Sequence, residues 1–145
     1  MALLTSLADV RRVLEEARTV AVLGASDRHD RAAWYVPDAV ARAGYTVIPV
    51  RPQGGVLHGR PCARSLDEID EAVDIVNIFR RTEALPEHLP ELLRLLPKVV
   101  WLPYDVSGAA LLPALAEAGI DLIEDRCMKV DLQLLPGGRR QGPSR

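Results

Sequence analysis

Apolar positions fall along this chain in two alternating rhythms. Leu7, Val10, Val13, Leu14 and Ala17 recur at helical spacing behind a Ser6-to-Asp9 capping pattern, which predicts an opening helix. Directly after it, Thr19–Leu23 is a short β-branched and apolar run, the pattern of a strand buried on both faces. The same kind of run returns at 45–50, 73–79, 98–102 and 120–123, giving strands two to five. Helical stretches separate them. One starts between Ala32 and Pro37, carries Val36, Val40 and Ala43 on one face, and ends at the C-cap Gly44. Pro52 and the turn Gln53-Gly54-Gly55 stop strand two, and a Ser65-to-Glu68 capping box opens a short helix. Thr82 caps a helix with Pro86 and Pro90 in its first part, and a helix over 107–118 closes at Gly119. The polar, breaker-rich stretch 136–145 predicts disorder, so 1–135 is expected to be a single domain.

Near-continuous apolar strands alternating with helices imply a parallel sheet covered on both faces. Right-handed crossovers then make it a Rossmann-like three-layer α/β/α domain, with a five-stranded parallel sheet in the order 3-2-1-4-5. Ligands in such sheets bind beyond the carboxyl ends of the strands. That places the candidate site at the ends of strands one, two and three before any motif is considered.

Composition removes several function classes. A formal net charge of −2 gives no general basic field, which argues against nucleic acid as a partner. No apolar run approaches the ~18–20 residues of a membrane span, and the first residues lack the basic head and apolar stretch of a secretory signal. Cys62 and Cys127 make neither a disulfide framework nor a metal site, so the chain reads as cytoplasmic. Against this background the predicted binding edge collects Arg28, Arg31, Arg51, Arg80 and Arg81. Guanidinium groups suit bidentate phosphate binding.

Gly24 allows the sharp turn after strand one, and the following helix would bring its N-terminal N–H groups to an anion. A dinucleotide fingerprint needs further glycines two and five positions on, where Ser26 and His29 stand. The end of strand two holds Arg51 in place of the acid that grips NAD ribose hydroxyls. This favours a ligand with an extra ribose phosphate, either NADP or coenzyme A, and spacing alone leaves the two open. No metalloprotease, Walker or nucleophile-elbow motif appears. His29, His58 and His88 read as surface residues. Cys127, after Asp125-Arg126, is the one candidate reactive thiol, though a small buried hydrophobe is the simpler reading. Trp34, Tyr35 and Trp101 read as packing residues rather than adenine platforms.

Five motifs in order carry a resemblance: Gly24-Ala25-Ser26; Arg31 with Tyr35-Val36-Pro37; Gly44-Tyr45-Thr46-Val47-Ile48-Pro49-Val50; Val73-Asp74-Ile75-Val76-Asn77-Ile78-Phe79-Arg80; and Asp125-Arg126-Cys127. Across roughly residues 10–132 the chain resembles the small CoA-binding proteins related to the CoA-binding domain of the succinyl-CoA synthetase α subunit. The resemblance implies a Rossmann-like domain that holds coenzyme A by its nucleotide end. Gly24, Ala25 and Ser26 would line the diphosphate, with Arg31 close by. Val50, Arg51 and Pro52 would lie near the adenosine phosphate region, and Ile78, Phe79 and Arg80 would flank the ligand. The synthetases use a phosphorylated histidine in a further domain that has no counterpart here, so non-catalytic binding of CoA or an acyl-CoA is expected. The role would be that of a carrier, sensor or regulatory partner. The chain departs from the family at Arg51, where Asn is common. It departs again at Trp101-Leu102-Pro103-Tyr104-Asp105, where Trp-x-Gln-x-Gly is common, and at Ala32-Ala33, where a hydroxyl is frequent. An NADP-dependent oxidoreductase and a ligand-free interaction module are the alternative readings.

Overall fold

The computed structural model describes residues 2–142. The Ser6 hydroxyl accepts the Asp9 amide at 3.1 Å and starts helix α1, Leu7–Glu16, which buries Val10, Val13 and Leu14. Such a cap contributes about 1 kcal/mol. Strand β1, Thr19–Leu23, follows and is buried throughout. Helix α2 spans Ala32–Arg42 and encloses Pro37 in its second turn rather than its first. Proline has no N–H, so the Ala33 carbonyl four residues earlier loses its helical donor. The Ser26 amide takes that place at 3.3 Å, tying the turn after β1 to the helix.

Strand β2, Thr46–Val50, leads into a two-stranded hairpin, β3 (Val56–Leu57) and β4 (Arg60–Pro61). The Ser65 box yields a single 3-10 turn, Leu66–Glu68. Ser65 makes no cap bond there, and Glu68 reaches back to the Arg64 amide at 2.8 Å. Strand β5 is Ile75–Ile78, and the chain then runs through a 3-10 segment, Thr82–His88, into α3, Leu89–Leu95. Thr82 is not the cap expected. Its hydroxyl accepts the Ser107 amide at 3.2 Å, stapling two loops. Strand β6, Val99–Trp101, precedes α4, Leu112–Glu117, which starts five residues after Ser107 because the Ser107 hydroxyl closes a local turn on the Ala109 amide. Strand β7, Asp121–Ile123, and α5, Met128–Asp131, complete the layers.

The sheet is parallel throughout in the order β2-β1-β5-β6-β7. Beyond β2 the chain adds one more parallel bridge, Val50 to Ala63. Counted with that segment as the third member, the sheet reads 3-2-1-4-5 with β7 as a further edge. The run predicted as strand three, 73–79, therefore lies centrally beside β1 instead of outside β2. Alternate residues of each strand feed opposite cores. Val20 and Val22 face α1, α2 and α5, while Ala21 and Leu23 face α3 and α4, giving the Rossmann-like three-layer α/β/α arrangement. Buried Asp74 closes the amino end of the sheet by accepting the Arg18 and Thr19 amides at 2.8 and 3.0 Å.

The breaker-rich stretch from 136 is docked as far as it is described. Pro136–Gly138 forms a turn, the Arg140 amide donates to Ala43 at 3.0 Å, and the Arg140 guanidinium covers the Tyr45 ring at 5.9 Å. The last three residues of that stretch lie outside the described residues. Among the described residues no helix is long and apolar enough to cross a membrane.

Candidate functional site

The turn after β1 is built by contact as much as by conformation. Gly24 has φ +85°, and a Cβ there would lie 2.5 Å from the Phe79 carbonyl oxygen. The β1 and β5 backbones thus approach to a distance that only glycine permits. The Gly24 and Ala25 amides both donate to the Val50 carbonyl, at 3.0 and 3.2 Å. Together with Ser26 on Ala33, the three amides of this turn are engaged within the protein. The Ser26 hydroxyl accepts the Arg28 amide at 3.0 Å.

Beside this turn a cleft of about 340 Å³ opens at the carboxyl edge, walled by Gly24, Ala25, Arg51, Arg64, Phe79 and Arg80. Pro52 lies on its rim. Arg51 is largely buried, its side chain 16% exposed; its Nε donates to the Gly54 carbonyl at 2.7 Å and its NH1 lies 3.4 Å from Asp27. It therefore braces the Gly54-Gly55 turn as well as facing the cleft. Arg64 also lines the cleft, its NH1 donating to the Pro52 carbonyl at 2.8 Å.

Arg80 belongs to a chain of polar contacts. Its NH2 donates to Glu87 at 2.8 Å, and its NH1 lies 2.9 Å from His88 Nε2. His88 Nδ1 lies 2.8 Å from Glu91, whose other oxygen accepts the Leu66 amide at 2.9 Å. A guanidinium can only donate, so Nε2 accepts and Nδ1 carries the proton donated to Glu91. His88 is thus a largely buried member of the cleft wall and not the surface residue expected. Arg64, His88 and Glu91 were not legible as site residues. The i,i+3 spacing of His88 and Glu91 was the one available signal.

The other predicted site residues lie apart from the cleft walls. Val50 and Ile78 are 0% exposed, and Val50 takes part through its carbonyl. Arg31 is the exposed N-cap of α2 and makes no side-chain cap bond. Arg28 pairs with Asp30 at 3.4 Å, and Arg81 is exposed. Cys127 is half-buried in a second cleft beyond α2. Its neighbour Arg126 is committed to Asp131 through two bonds of 2.7 and 2.8 Å. Trp101 is fully buried, its Nε1 donating to the Arg126 carbonyl at 2.9 Å. Among the described residues no three His, Cys, Asp or Glu side chains gather to hold a metal.

Trp34 stacks on His29 with ring centroids 3.7 Å apart and lies 5.6 Å from the His58 ring. The His58 side chain is only 3% exposed, its Nε2 has no partner, and its Nδ1 is 3.9 Å from Asp38. Burial pushes the His58 pKa down; the Asp38 carboxylate opposes this and His29 reinforces it. The unfolded chain takes up this proton near pH ~6.5, before the folded chain does. Stability is therefore full above that pH and falls as pH drops through it toward the lowered folded value. The urea midpoint is expected to decline from pH 8 to 5 and to lose that part of its slope in His58→Asn, a residue that suits the backbone φ of +53° there. An unchanged slope would assign the dependence to another group.

A parallel, doubly wound sheet with its arginine-lined cleft beyond the strand ends defines the class as a Rossmann-like, anion-facing domain. The chain belongs to the CoA binding domain family, whose model matches residues 18–133. It is 38% identical over 125 residues to the uncharacterized protein YneT of Bacillus subtilis (strain 168), covering 86% of this chain and 93% of that one. Among solved structures it is similar to the Thermus thermophilus protein cell-free ID.343, with TM-score 0.85 and 40% identity over 90% of this chain and 98% of that one. A hypothetical protein from Pyrococcus horikoshii OT3 matches with TM-score 0.85 and 27% identity, over 90% and 92% of the two chains.

Proposed function

We propose that this protein binds coenzyme A or an acyl-CoA by its nucleotide and diphosphate end, without catalysis of its own, as a carrier, sensor or regulatory partner. The observation that carries the reading is the convergence of Arg51, Arg64 and Arg80 on one cleft beside the Gly24 turn, in a chain of the CoA binding domain family. Three guanidinium groups in a protein of net charge −2 are a local excess suited to a ligand with several phosphates. In the free protein His88 and Glu87 hold Arg80 at the wall of this cleft. Among the described residues Arg80 is tethered through exposed Glu87 and through His88, so a phosphate can draw it away at small cost.

Calorimetry against CoA, dephospho-CoA, NADP and NAD tests the reading. CoA is expected to bind in the micromolar range and to weaken when the ribose phosphate is missing. Arg80→Ala and Arg51→Ala are each expected to cost about ten-fold or more in affinity, the scale of one charged hydrogen bond. Wild-type affinity in both variants would sink the site assignment. Binding of NADP alone would turn the assignment to a reductase, and silence toward all four ligands would favour an interaction module.

A further inference from the structure

Where α2 meets α5 and the docked tail, the surface carries a groove of about 260 Å³. Its floor is apolar: Ala43 and Leu132 are each 4% exposed, with Ala39 beside them. Its rim is cationic and exposed, formed by Arg42 in the last turn of α2, Lys129 of α5 and Arg139 of the tail. No carboxylate lines it. Arg42, 78% exposed, holds Asp38 at 2.9 Å, a surface pair that a competing carboxylate exchanges at small cost. Lys129 lies over the Tyr35 ring at 5.1 Å, and neither Lys129 nor Arg139 pairs with a carboxylate among the described residues. Elsewhere surface cations are matched locally, as Arg11 is with Glu15, Arg12 with Asp9 and Arg94 with Asp67. The turn Pro136–Gly138 and the Arg140 amide on the Ala43 carbonyl bring Arg139 to this rim, so a stretch whose composition predicts disorder serves as a wall. Tyr35 and Val130, 39% and 53% exposed, add apolar surface to the same two helices.

From this geometry we infer that the groove docks an acidic segment of a partner protein. An apolar side chain of the segment covers Ala39, Ala43 and Leu132, and its flanking carboxylates meet Arg42, Lys129 and Arg139. Charge complementarity selects the carboxylates. The apolar floor selects a peptide over a free anion, because inorganic phosphate would meet the rim alone and leave the floor uncovered. An anionic membrane would face the molecule as a whole, and the formal net charge of −2 opposes that approach. A short segment samples only the local field, which physiological salt confines to about 8 Å. Arginine and tyrosine beside buried apolar surface are also the composition that protein interfaces favour. The groove shares no wall residue with the arginine cleft, so a segment and a small ligand can be held together, and the docking surface stands whatever the cleft holds.

The test is an NMR titration of the isotopically labelled full chain with a synthetic peptide of Glu-Glu-Leu repeats, and with a control peptide of Gln-Gln-Leu repeats. At about 50 mM salt the acidic peptide is expected to bind with Kd below about 1 mM and to weaken several-fold at about 300 mM. Amide shifts are expected at 39–43 and 129–139, and the control peptide is expected to leave them unmoved. The double variant Lys129→Glu/Arg139→Glu changes two exposed side chains without carboxylate partners among the described residues, so it is expected to fold and to lose about ten-fold in peptide affinity. Arg11→Glu/Arg12→Glu makes the same change in net charge on α1 and is expected to stay within about two-fold of the wild type. Equal losses in the two double variants would show that overall charge and not the groove attracts the peptide, and would overturn the inference. Shifts centred on Arg51, Arg64 and Arg80, or no binding, would overturn it as well. Sedimentation of the protein with phosphatidylglycerol vesicles, abolished by Lys129→Glu/Arg139→Glu while the peptide does not bind, would replace the partner protein with a membrane.

Discussion

Gly24→Ala is expected to destabilise the protein by about 2–5 kcal/mol, seen as a fall of about 5–20 °C in Tm. Two costs combine. A residue with a Cβ must hold φ +85°, a backbone conformation that L side chains rarely adopt, and its Cβ must lie 2.5 Å from the Phe79 carbonyl oxygen. The obstructing atom belongs to the backbone of the chain leaving β5. No rotamer change relieves it, and truncating the Phe79 side chain leaves the clash in place. Gly119 provides the control. It has φ +76°, with nothing within 4 Å of an added Cβ. Gly119→Ala is expected to cost only the conformational part, about 1–2 kcal/mol. The difference between the two variants isolates the close approach of β1 and β5. Equal losses would show that the turn relaxes freely and that the approach does not shape the cleft. Because Gly24 and Ala25 wall the arginine cleft, Gly24→Ala is also expected to weaken CoA binding at temperatures where it remains folded.

The strands were legible because each is a short apolar run buried on both faces, a pattern no helix of similar length needs to copy. Thr19–Leu23 was readable to the residue for that reason. The helices were less so. Pro86 and Pro90 turn the segment after Arg81 into a 3-10 stretch before α3, and the local Ser107 turn delays α4 to Leu112. The hairpin Val56–Leu57 with Arg60–Pro61 has two residues per strand, too few to show a period. The strand run over 73–79 was recognisable as a strand, but its central position was not, because the one-residue bridge at Ala63 that occupies the edge carries no pattern at all. At the site, Gly24, Arg51 and Arg80 were readable from their places at strand ends. Arg64 and the His88–Glu91 pair reach the cleft only through tertiary packing of segments that look like solvated surface. Asn77 was visible as a letter within an apolar strand. Its bond to the Trp101 carbonyl is a property of the fold.

The pair Arg126–Asp131 yields the other large effect and an asymmetry that sequence spacing does not suggest. The Asp131 side chain is 6% exposed and receives two bonds from Arg126, whose own side chain is 29% exposed. Asp131 raises the Arg126 pKa above its ordinary value, so the guanidinium stays charged across the accessible pH range. Removing the cation strands a carboxylate away from water. Arg126→Met is therefore expected to cost about 3–5 kcal/mol, the scale of a broken buried pair. Removing the anion leaves a guanidinium that can turn toward solvent, so Asp131→Leu is expected to cost less than half as much. The double variant is expected to recover most of the loss, since the backbone of this loop has its own anchors: the Trp101 indole on the Arg126 carbonyl at 2.9 Å, and the Arg126 amide on the Leu102 carbonyl at 3.3 Å. Urea denaturation of the four proteins closes the cycle. Equal losses in the two single variants would mean that Asp131 finds water when its partner is gone, and the desolvation argument would fail.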